Sequence, residues 1–176
     1  MWWVVGVVLV LALLSAYLGW TAHRVERVHL RVQSAERALE AHLLRRAAAA
    51  AVVAEHADAV ELYAAARLAL DAEPGEREAA ENDLTRQLQA LPPQALPPPA
   101  TGAATRTLIA TSRRAILARQ VHTDLVRDAL TARRRPLVRL LGMARRYPLP
   151  QYFDIVEPTV PPPGAPAGAP LPVEAA

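Results

Sequence analysis

The sequence predicts an all-α fold: a single N-terminal transmembrane helix, an elongated antiparallel helical bundle, and a disordered proline-rich C-terminal tail. Three observations carry that expectation. Residues 2 to 20, WWVVGVVLVLALLSAYLGW, hold no charge. No proline or glycine interrupts the chain between residues 20 and 73. Apolar residues nowhere show the sustained period-two alternation of a half-buried strand.

The first stretch has the length of an anchor, since a bilayer-crossing helix needs about 20 apolar residues. Trp2, Trp3, Tyr17 and Trp20 stand near its two ends, where amphipathic rings favour the headgroup level. A cleaved leader carries a basic start and a small-x-small cleavage site. Here no charged side chain precedes Trp2 and the segment closes on Tyr-Leu-Gly-Trp, so a retained anchor over 1–21 is expected. Arg24, Arg27 and Arg31 follow at once. The positive-inside rule then assigns the bulk of the chain to the cytoplasm, as a single-pass protein of the inner (plasma) membrane.

Beyond the anchor, residues 22–155 read as the bundle. Val25, Val28, Val32, Ala35 and Leu39 follow a 3-4-3-4 seam. Arg46 breaks it, and Leu43, Ala47, Ala50, Val53, Ala57, Val60 and Ala64 resume it in shifted register. One helix over about 22–71 follows, ended by Glu73-Pro74-Gly75. The alanine run 47–51 is read as a good helix former, with close approach of a partner helix as the other reading. A second helix over 76–91 begins with acids that suit its dipole. PPQALPPPATG makes 92–102 a linker. A third helix covers 103–135, with Leu108, Ala115, Ala118, Leu125, Ala129 and Ala132 on one stripe and Val121 beside it. Pro136 suits the first turn of a last helix over 136–146. Residues 156–176 are proline-rich, almost uncharged, and expected to be disordered.

Cysteine is absent, which excludes disulfides, thiolate metal sites and cysteine nucleophiles. All 20 basic residues are arginine, a bias that fits a high-GC genome as well as anion binding. His23, His29, His42, His56 and His122 show no i, i+4 pair and no His-Glu-x-x-His. There is no phosphate loop, dinucleotide turn or Gly-x-Ser-x-Gly. No catalytic, cofactor or metal site is therefore assigned, and no enzyme is expected. Arg119 and Asp124 are read as a buried structural pair.

Short motifs carry a resemblance. AERALEAHLLRR, residues 35 to 46, and Ala118-Arg119-Gln120 in the returning helix recur in order, before Tyr152-Phe153-Asp154. With an N-terminal anchor and a long first helix, the chain resembles the LemA family of bacterial membrane proteins. Leu43, Arg45, Arg46, Ala118, Arg119, Gln120, Tyr152 and Phe153 match that family's motifs. Glu36 stands in place of its tryptophan, and Ala51-Val52 in place of its proline-asparagine. The resemblance implies an antiparallel helical bundle on one membrane helix and brings no established activity.

Charge is uneven. Nine acids and two arginines lie between Val53 and Asp83, while Arg106 to Arg146 holds eleven arginines and two aspartates. An antiparallel return puts Arg106 to Arg127 beside the acids. It carries Arg133, Arg134, Arg135, Arg139, Arg145 and Arg146 back toward the inner headgroups, where each contributes about 1 kcal/mol with anionic lipid. A solvated helix end favoured by its own dipole is the competing reading. No zinc, helix-turn-helix or RNP-type pattern points to nucleic acid. The expected function is a membrane-anchored scaffold or interaction protein, partnered by membrane lipid and by a protein or a second copy. The alternative is a ligand or envelope-stress sensor with a site in the bundle core, for which His42, His122 and Arg119 are the polar candidates.

Overall fold

A computed structural model of the chain is all-helical. It describes residues 2–92, 95, 102–142, 144, 147–153 and 155. The expectations for the tail 156–176, for most of the linker, and for Arg145, Arg146 and Asp154 lie outside the described residues. Among the described residues five helices are formed: α1 (Trp2–His56), α2 (Val60–Asp71), α3 (Arg77–Ala90), α4 (Ala103–Arg134) and α5 (Pro136–Leu140). The described residues contain no strand.

α1 is long and apolar enough to cross a membrane. Its large apolar side chains from Trp2 to Leu14 are exposed. At the end of this stretch Tyr17 and Trp20 hold their rings 6.3 Å apart, and the Arg24 guanidinium lies 5.6 Å from the Trp20 ring.

The single helix expected over 22–71 is broken at residues 57–59. The amide of Ala59 donates to the carbonyl of Ala54 and that of Asp58 to the carbonyl of Glu55. Asp58 itself has φ 51°. This is a Schellman turn with an aspartate where glycine is usual. No glycine or proline marks it, so the alanine-rich sequence around it reads as continuous helix. After the break the buried face restarts in another phase: Val60 and Ala64 are exposed, while Leu62, Ala65, Ala66 and Ala69 are buried. α5 is also shorter than the 136–146 expected. Gly142, at φ 60°, donates to the carbonyl of Arg139 and ends it, as a left-handed C′ glycine does.

The chain divides into two compact units, Met1–Leu39 with Arg119–Phe153, and one containing Glu40–Ala118. In the first, Val25 packs with Val138 and Ala144, and Val32 packs with Val126 and Ala129. Partners descend along α4 and α5 as α1 ascends, so these segments run antiparallel.

In the second unit Ala47, Ala49, Ala50, Val53 and Ala54 of α1 meet Leu62, Ala65, Ala66 and Ala69 of α2, Leu84 and Leu88 of α3, and Leu108. The alanine run is therefore core. Small side chains on two helices let the leucines of α3 close the gap, and burying each leucine contributes about 2 kcal/mol.

The seam of α1 differs from the expected one in an instructive way. Val25, His29, Val32, Leu39, Leu43, Arg46, Ala50 and Val53 are all buried. With Glu36 between Val32 and Leu39 they follow an unbroken 4-3 repeat, and no register shift occurs. Polar residues occupy seam positions, which hides the repeat from an apolar count. α4 behaves likewise: Thr105, Leu108, Ser112, Ala115, His122, Val126 and Ala129 are buried, and Arg119 completes their 3-4 spacing. Val121, Ala118, Leu125 and Ala132 of the expected stripe are exposed or half-buried instead.

Candidate functional site

The polar seam positions assemble three arrangements. The first is a clamp at the end of α4. Nδ1 of His29 lies 2.8 Å from the Val25 carbonyl. A carbonyl only accepts, so Nδ1 carries the proton and Nε2 of a neutral ring is left as an acceptor. Nη1 of Arg133 donates to that Nε2 at 3.1 Å. The same guanidinium donates to the carbonyls of Pro148 at 2.9 Å, Ala144 at 2.9 Å and Tyr147 at 3.2 Å. The Tyr147 ring stacks on His29 with centroids 4.6 Å apart. Arg133 thus pins the segment after α5 back onto α1 using neutral acceptors only.

The second arrangement is a cavity of about 250 Å³ in the same unit. Val32, Gln33 and Glu36 of α1, His122 of α4 and residues 148–151 line it, with His29 at one side. His122 is 4% exposed, and its Nδ1 has no hydrogen-bond partner among the described residues. Burial lowers its pKa, and the Glu36 carboxylate opposes that shift, so the ring is neutral at neutral pH.

The third lies in the other unit. Arg46 is fully buried, yet it sits in the seam because Nη1 donates to Glu81 Oε2 at 2.7 Å and Nη2 to Thr85 Oγ1 at 2.9 Å. Burial raises the Glu81 pKa and the nearby Arg46 charge partly offsets it. Beside this lock, Arg77 donates to the carbonyls of Ala72 at 2.6 Å and Ala69 at 3.4 Å and lies 3.5 Å from Glu40. It thereby closes the C-terminal end of α2. The buried ion pair of this unit therefore joins α3 to α1.

The residues singled out from the sequence separate accordingly. Arg134, Arg135 and Arg139 are exposed at the α4–α5 junction. Arg133 is half-buried in the clamp, so it is not the surface cation expected. Leu43 and Arg46 are buried, Arg45 is exposed 3.5 Å from His42, and Gln120 and Tyr152 are exposed. Ala118 and Phe153 are half-buried. Arg119 and Asp124 do not pair: Asp124 meets Arg127 in solvent, and Arg119 Nε has no partner among the described residues. Five residues apart on one helix, they lie on different faces. Of the three polar candidates for a core ligand, only His122 lines the cavity. Sequence reasoning gave His29, Glu36 and Glu81 no place in a site. The signal available for the first two was the 4-3 repeat, once polar residues are admitted to it. Among the described residues no group of three or more His, Asp or Glu side chains is placed to hold a metal.

No protein-family model, curated protein or solved structure matches the chain.

Proposed function

We propose that this chain is a non-catalytic, membrane-anchored helical scaffold that resembles the LemA family and docks the α4–α5 end of its bundle on anionic lipid. The observation that carries this reading is the packing of Val138 on Val25. Val25 is five residues past Trp20, about 7.5 Å along a helix. α5 is thereby held beside the end of the apolar stretch. Arg134, Arg135 and Arg139 are exposed there, and Leu140 is 82% exposed. A basic surface with an open leucine suits the headgroup boundary, where each arginine contributes about 1 kcal/mol. In this reading the chain crosses the plasma membrane once, with its bulk in the cytoplasm. The antiparallel pairing of α1 with α4 and α5 in the first unit supports the bundle reading. Its exposed faces serve a protein partner or a second copy.

The absence of cysteine makes the test direct. A nitroxide on Leu140→Cys, in the full chain reconstituted into nanodiscs, becomes accessible to lipid-dissolved oxygen when the lipid is anionic. Changing Arg134, Arg135 and Arg139 together to Gln abolishes that access at moderate salt. Equal access in neutral and anionic lipid rejects the lipid contact. A maleimide that cannot cross membranes leaves Arg86→Cys, an exposed α3 position, unlabelled in intact cells; labelling reverses the topology.

A second reading, a small-molecule sensor, is favoured by the cavity beside His122. It shares the anchor and differs in what the first unit binds.

A further inference from the structure

We propose that the cavity between Glu36 and His122 binds a compact organic cation, an ammonium group pairing with the Glu36 carboxylate while its apolar body lies against Val32, Pro148, Leu149 and Pro150. This inference rests on the sensor reading and names its ligand class.

The seam supplies the first reason. Along α1 every position of the 4-3 repeat from Val25 to Val53 is buried except Glu36. The interior of a helix pair normally leaves no void larger than a water molecule. Here the glutamate leaves the seam unfilled, and a cavity of about 250 Å³ stands beside it. That falls below the roughly 300 Å³ at which pockets for drug-sized ligands begin, so the guest is small.

Charge supplies the second reason. Among the described residues, Glu36 is the only aspartate, glutamate or arginine that lines the cavity. Among the described residues it makes no salt bridge. Both nitrogens of His29 are already engaged, by Val25 and Arg133. His122, neutral and buried, remains free to exchange a hydrogen bond with a guest. An anion meets a carboxylate there, and the guanidinium beside the cavity, Arg133, already spends its donors on His29 and on the carbonyls of Ala144, Tyr147 and Pro148; a cation meets a carboxylate, a neutral imidazole and the Gln33 amide.

The wall supplies the third. Pro148, Leu149 and Pro150 form one side, and the guanidinium of Arg133 fixes them through the carbonyls of Tyr147 and Pro148. Two prolines lack backbone N–H groups, which keeps that side apolar. The amine end and the hydrocarbon end of the guest thus meet different surfaces.

The test uses the full chain in nanodiscs and three probes of one shape: benzylamine, benzyl alcohol and benzoate. Binding is measured by titration, and its place by the shift of the His122 ring resonances. Benzylamine binds and moves those resonances; Glu36→Gln weakens it about tenfold, the effect of losing one charged hydrogen bond. Glu26→Gln, exposed on the same helix, leaves it unchanged. If benzyl alcohol or benzoate binds as well as benzylamine and still moves His122, the cation assignment is overturned while the cavity reading survives. If no probe moves His122, both are overturned. Equal weakening by Glu26→Gln and Glu36→Gln reduces the effect to general surface charge and also rejects the site.

Discussion

Two arginines, one fully buried and one half-buried, hold the molecule in different ways. Arg46 faces a carboxylate, 2.7 Å away and fully buried. Arg133 faces one imidazole and three backbone carbonyls, all neutral, in a half-exposed position. The first arrangement fixes which helices meet: α3 must sit against α1 for two charges to find each other. The second holds a loop without committing a counter-charge, and a cavity lies beneath that loop. Ionic pairing here belongs to the permanent part of the fold, and neutral pairing to the part built around an opening.

This contrast is sharpest under mutation. Removing one partner of a fully buried pair leaves the other charge uncompensated, so Glu81→Gln is expected to lose about 3–5 kcal/mol of stability in denaturant unfolding. The double change Arg46→Met with Glu81→Leu recovers most of that loss, because an apolar pair of similar volume replaces the ions. If the double variant is no better than the single, the pair specifies the helix arrangement itself.

Arg133→Gln removes several hydrogen bonds from a charged donor, for which about 2 kcal/mol is expected. The loss shows mainly as faster amide exchange over residues 147–153, with the second unit unaffected. Equal acceleration throughout both units would erase the distinction drawn between the two arginines.

Acidity separates the units further. His122 has a folded-state pKa below its unfolded value, because burial disfavours the imidazolium. The unfolded chain therefore binds the proton first. Stability is complete above about pH 6.5 and declines as pH falls below it, by at most about 1.4 kcal/mol per unit until the folded ring also titrates. His122→Asn flattens that part of the thermal-melting profile.

The smallest effect concerns the turn between α1 and α2. Left-handed backbone costs an L-residue about 1 kcal/mol, which glycine avoids at some cost in unfolded-chain entropy. Asp58→Gly is expected to gain about 0.5 kcal/mol in the same unfolding assay. A loss would mean that the carboxylate itself holds the turn.

These residues also mark where the sequence was readable. The apolar stretch, the stop at Pro74-Gly75 and the limits of α3 and α4 follow from composition and breakers, which act locally. The turn at Asp58 is local too, but aspartate enters a left-handed conformation without announcing it. The seam was half legible: valines and leucines marked one edge, Arg46 read as a break in it, and His122 was named for the core only as a candidate ligand contact. Only tertiary neighbours make them interior. Glu81 was one acid among nine until Arg46 was found beside it. The clamp and the cavity depend on residues 147–151 returning to α1, and nothing in that short stretch encodes its destination.

The apolar stretch and the seam share one helix without a break from Trp2 to His56, and this has a consequence for timing around the axis. Each residue advances a helix by about 100°. The face of α1 that carries Trp20 is therefore phased against the face that receives Val138 by the number of residues between them. One residue inserted after Trp20 turns the tryptophan ring about 100° away from its present bearing on α5, whereas four inserted residues return it to within about 40°. The distance of α5 from the apolar stretch is adjustable in steps, but the bearing is quantised by the helix itself.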